Sequence, residues 1–126
     1  MLVSAWRGGR RLFLDVGAVR GVLTAPRVSF VPIAPDWILG ACAASGRAIA
    51  VLDLVVLEGG PLAIVAPEVV ILLSTPAGLV GIATDTHPHE DRPPADPHGA
   101  DILVDPLLLP ERIAAALSEH GLRPRG

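Results

Sequence analysis

Short apolar runs alternate with glycine- and proline-rich breaks at intervals of roughly ten residues, the spacing of a small β-barrel or sandwich. Leu2–Trp6 and Arg10–Leu14 flank Arg7-Gly8-Gly9, where glycine supplies the positive φ of a tight hairpin. Val28–Val31 is β-branched and aromatic, and Pro32 and Pro35 then hold the chain extended. Ile38–Ala43 and Ala48–Leu54 flank Ser45-Gly46, a second hairpin. Val69–Leu73 and Leu79–Thr84 flank Pro76-Ala77-Gly78, a third, and Ile102–Val104 is a last short strand.

Helical spacing is confined to the end. Pro110 suits a first helical turn, Glu111 favours its positive pole, Ile113 and Leu117 share a face, and Gly121 terminates. Residues 86–100 are rich in proline and hold no large apolar side chain, so they read as a solvated, mobile loop. The expectation is a mainly β chain with one short C-terminal α-helix. It forms a single domain over 1–120, followed by a tail at 121–126.

Composition sharpens this. The chain is 51% hydrophobic with 13 Gly and 13 Pro, which excludes disorder. In 126 residues so much apolar surface cannot all be buried, which points to a partner surface or a homo-oligomer. The basic residues are all Arg, and without Lys there is no Walker A loop and no Schiff base. A net charge of −3 argues against nucleic acid as a partner. One cysteine, Cys42, forbids an intrachain disulfide. Charges follow the first apolar stretch, the reverse of a signal peptide. The longest uncharged run, Val69–Thr84, is broken at Pro76 and falls below the ~18 residues that span a bilayer. A cytoplasmic protein without membrane insertion is expected.

Candidate chemistry is thin. His87, His89, Glu90, Asp91, His98 and Asp101 are metal-ligating types, but their segment has neither a rigid scaffold nor an apolar surround, so no metal is expected. Ser45 is not in a nucleophile elbow, and Cys42 reads as a small buried hydrophobe. Asp15 and Asp53 read as caps at strand ends. Trp37 reads as core. Trp6, Arg7, Arg10 and Arg11 put basic groups beside an aromatic ring, yet nothing continues the stripe, so they read as a solvated hairpin tip. No catalytic residue, enzyme activity or cofactor is expected.

The stretch Val31-Pro32-Ile33-Ala34-Pro35-Asp36-Trp37-Ile38-Leu39-Gly40, followed by Ser45-Gly46-Arg47 and a strand ending in Asp53-Leu54, resembles the CheW-like coupling proteins of bacterial chemosensory systems. Gly9–Val19 is similar to the family's opening hairpin followed by an apolar segment, Val69–Leu73 with Gly81–Asp85 to its central hairpin, and Ile102–Leu109 to its closing strand. The resemblance implies two SH3-like β-barrels. It also implies a non-catalytic adaptor joining a chemoreceptor tip to the regulatory domain of a CheA-type histidine kinase.

Three departures accompany it. Ser45 stands where the family usually has Arg, and Gly21 where it often has an acid, so an ion pair near the receptor-facing groove is absent. The segment between Asp85 and Ile102 is short, so the second barrel should be truncated, with an open sheet edge. Val16, Val19 and Val22 recur every three residues and, with Gly21 and Ser45, are the expected partner-binding residues. The competing class is an SH3-like barrel that binds nucleic acid or a small ligand, unrelated to chemotaxis.

Overall fold

The computed structural model describes residues 1–63, 65–93 and 101–119. Two antiparallel-rich sheets hold nearly all of the order. The strands are β1 (Leu2–Arg7), β2 (Arg10–Asp15), β3 (Val19–Thr24), β4 (Ile38–Ala44), β5 (Arg47–Leu52), β6 (Val69–Thr75), β7 (Gly78–Thr84), β8 (His89–Asp91) and β9 (Ile102–Val104). A one-turn helix α1 (Leu54–Leu57) follows β5, and α2 (Leu109–Glu119) follows β9. One sheet runs β8-β1-β2-β9 and the other β3-β6-β7-β5-β4. The expected hairpins and the terminal helix are all present, α2 beginning one residue before Pro110.

The five-stranded sheet has a buried layer on each face. Along β6, Val69, Ile71 and Leu73 join Leu12, Leu14, Trp37 and Ile82 in a core between the two sheets. Val70 and Leu72 point the other way and meet Cys42, Ile49, Val51 and Ala83 inside the five-stranded unit. A strand buried on both faces needs an unbroken apolar run, which Val69–Leu73 supplies. Beyond β3 the chain returns to β4, where Ser29 and Ala41 exchange backbone hydrogen bonds of 2.8 and 2.9 Å. Gly40 allows this closure, because a Cβ there would collide with the Ser29 carbonyl. The register of β4 on β5 shifts at the same place.

The four-stranded sheet differs from expectation in one strand. His89–Asp91, part of the expected loop, pairs antiparallel with Leu2–Ser4 of β1. The expected mobility of the rest of that loop, and the tail at 121–126, fall outside the described residues. At the other edge β9 runs parallel to β2, with Phe13 opposite Leu103.

Candidate functional site

The two sheets meet at Arg7, whose guanidinium is almost wholly buried. Along β1, Val3, Ala5 and Arg7 share the inward face, because successive side chains alternate. Arg7 Nε donates to Asp53 Oδ2 at 3.1 Å, Nη1 to Asp85 Oδ1 at 2.8 Å and Nη2 to the Val65 carbonyl at 3.3 Å. Asp53 directly follows β5 and caps α1, accepting from the Val55 and Val56 amides. Asp85 directly follows β7; its carboxylate also accepts from the Gly8 amide, and its own amide donates to the Trp6 carbonyl at 2.6 Å. A buried ion pair offsets its desolvation only when every polar atom finds a partner, and this node approaches that condition. The reading of Arg7 as part of a solvated tip is therefore corrected: it ties β1 to the ends of β5 and β7.

Arg11 is also engaged. Its guanidinium lies 5.6 Å from the Trp6 ring centre and 4.9 Å from that of Phe13. Its Nη1 reaches Asp91 of β8 at 3.2 Å and its Nη2 reaches Asp101, just before β9, at 3.5 Å. One side chain thus spans both edges of the four-stranded sheet above the fully buried Phe13. Only a planar, forked cation can stack on rings and pair with two carboxylates together. Its Nε is buried without a partner. Asp91 is held below the usual carboxylate range, first by the Ser4 hydroxyl (2.7 Å), then by the Arg92 amide, with Arg11 assisting.

The expected partner-binding residues divide between places. Val19 pairs with Leu73 and Val22 with Ile71, and directly opposed residues share a face, so both valines lie on the side of the inter-sheet core. A bulge at Arg20 makes this possible, because an extra residue restores the face after three positions. Val19 packs partly into that core, while Val22 is 38% and Val16 41% exposed. Gly21 faces the other way, and a Cβ there would lie 3.4 Å from Leu72 Cδ1. Ser45 sits in the β4–β5 turn with φ 51° beside Gly46 at 74°, the positive pair of a tight hairpin. β3 and β4 are the two ends of the five-strand order, and strand pairing does not join Gly21 to Ser45.

The remaining candidates have structural surroundings. Cys42 lies inside the five-stranded unit, and burial pushes its thiol up. Trp37 is core, as expected, with its indole Nε1 unpartnered. Asp15 accepts from the Gly17 amide, and Asp53 caps α1, so both act as the caps expected of them. His87 Nε2 shares a 2.8 Å hydrogen bond with Thr24 Oγ1. No group of three metal-ligating side chains converges among the described residues, and His98 lies outside them. No described helix is long and apolar enough to cross a membrane.

The CheW-like domain profile matches residues 3–108. In three dimensions the chain is similar to the crystal structure of the scaffolding protein TtCheW from Thermoanaerobacter tengcongensis. The TM-score is 0.68 at 19% identity, over 86% of this chain and 90% of that one. At that identity the likeness speaks for the fold. No curated protein matches the sequence.

Proposed function

The chain belongs to the CheW-like domain family, and from that premise we propose a non-catalytic chemosensory scaffold that joins a chemoreceptor tip to a CheA-type histidine kinase. The observation that carries this reading is the pair of exposed valines, Val16 and Val22, beside the partly buried Val19. The Arg20 bulge aligns Val22 with Val19, and exposed Val16 immediately precedes them on the turn into β3. Such a face suits association through apolar area, and with neither Gly21 nor Ser45 able to form an ion pair, apolar contact is the main term. A nucleic-acid surface at the β1–β2 tip is disfavoured, because Arg7 is buried and Arg11 already faces two carboxylates.

The test is titration of the chain with the regulatory domain of the kinase, and separately with the receptor tip, at low and high salt. Val22→Asp is the informative variant, since Val19→Asp would also disturb the core. Burying its unpaired charge should weaken binding by at least about tenfold. Added salt should change the wild-type affinity little. Steep salt dependence with an unaffected Val22→Asp variant would overturn the reading.

A further inference from the structure

Between β2 and β3 the chain makes a single 3₁₀ turn, Val16–Ala18, and Val16 stands on it 41% exposed. A valine so exposed has little packing to fix its direction, so the backbone beneath it must do so. The Val16 amide donates to the Met1 carbonyl at 3.1 Å, and the Val19 amide closes the turn on the Val16 carbonyl. Gly17 is held at both of its polar groups. Its amide donates to Asp15 Oδ1 at 2.9 Å, and its carbonyl accepts from Arg20 Nη1 at 2.7 Å.

Arg20 is free to do this because it is the extra residue of the bulge. Val19 and Gly21 pair with Leu73 and Leu72, while Arg20 has no residue opposite it on β6. Its exposed side chain turns back three residues to a carbonyl at the end of the turn, where carbonyls lack partners within the helix. It forms no ion pair among the described residues, so the neutral carbonyl is its partner. Side chains three apart eclipse on a 3₁₀ turn, which brings Val16 into line with Val19. We propose that Arg20 and Asp15 are positioning residues of the partner-binding face: they fix the turn so that Val16 stands beside Val19 and Val22 before a partner arrives. Ordering a loop on association weakens binding, and a face ordered in advance avoids that loss. This role rests on the scaffold reading, in which the three valines make the contact.

The test uses the full chain and three variants. Arg20→Met and Asp15→Ala each release one side of Gly17, whereas Asp15→Asn keeps a capping oxygen. In the free chain, nitrogen-15 relaxation should give Gly17 and Ala18 order parameters of about 0.85, falling toward roughly 0.6 in both releasing variants. Exchange of the Val19 amide should accelerate about threefold in the same two, and Asp15→Asn should behave as wild type. Titration with the kinase regulatory domain and with the receptor tip should show a loss of about two- to fivefold for each releasing variant. The double variant should lose little more than either, because both contacts act on one residue. Circular dichroism checks that each variant keeps the fold. A turn already mobile in the wild type, or one that stays ordered in both releasing variants, overturns the proposal. So does weaker binding in Arg20→Met with none in Asp15→Ala, which would make Arg20 a direct charge contact. A wild-type chain that binds neither partner would overturn the scaffold reading and this role with it, whereas the relaxation outcomes overturn this role alone.

Discussion

In the five-stranded unit the chain returns after β3 and closes on β4 through the Ser29–Ala41 backbone bridge, with Gly40 making room. In the four-stranded unit no strand joins the edges among the described residues, and Arg11 reaches across them to Asp91 and Asp101. One closure consists of neutral backbone amides, the other of charged side chains. The first should be indifferent to salt and pH, the second sensitive to both. Arg7 then couples the two units, so damage there reaches each of them.

The hardest break is at that coupling. Arg7→Met leaves Asp53 charged, buried and short of its main partner, and should cost about 3–5 kcal/mol in denaturant unfolding. Adding Asp53→Asn should recover part of the loss; a loss below about 1 kcal/mol for Arg7→Met would refute the coupling role. Gly40→Ala forces the bridge apart and should cost about 2–3 kcal/mol, equally at low and high salt. Arg11→Met should cost only about 1 kcal/mol globally. Amide exchange should nevertheless accelerate selectively in β8 and β9 while β6 and β7 stay protected. Uniform acceleration would erase the contrast between the two closures.

The acid response sharpens the same contrast. Because the folded state holds Asp91 below its ordinary value of 3.8, its contribution is complete above that value and is lost as pH falls through the depressed one. Exchange in β8 should therefore rise below about pH 4 before exchange in β6 does, and Asp91→Asn should remove that step. The mildest effect concerns a turn. Ser45→Gly relieves a left-handed serine and should stabilise by up to about 1 kcal/mol, judged by the denaturation midpoint.

Hairpins and the terminal helix were legible because each rests on local chemistry: glycine at turns, apolar periodicity, a proline near a helix start. β8 was not, since His89-Glu90-Asp91 carries no apolar residue and is a strand only because β1 offers an edge. Arg7 and Arg11 were misread for a related reason. A basic residue beside a turn reads as solvated, and the structure buries Arg7 because Asp53 and Asp85 wait 46 and 78 residues away. The usable signal was the two aspartates, each directly following an apolar strand. The valine triplet was legible in part: a spacing of three inside a strand implies a bulge, and the bulge at Arg20 places Gly21 on the face opposite Val19 and Val22.

The five-stranded sheet comes from one continuous stretch, Val19 to Thr84, whereas the four-stranded sheet takes β1 and β2 from one end of the chain and β8 and β9 from the other. As a ribosome releases the chain, the first hairpin emerges with neither of its flanking strands. It must wait while the whole five-stranded unit is made and Val104 has cleared the exit. The hairpin of β1 and β2, made before the five-stranded unit, is thus among the last parts to be enclosed, and a nascent chain stalled before β9 would carry a finished unit and an orphaned hairpin side by side.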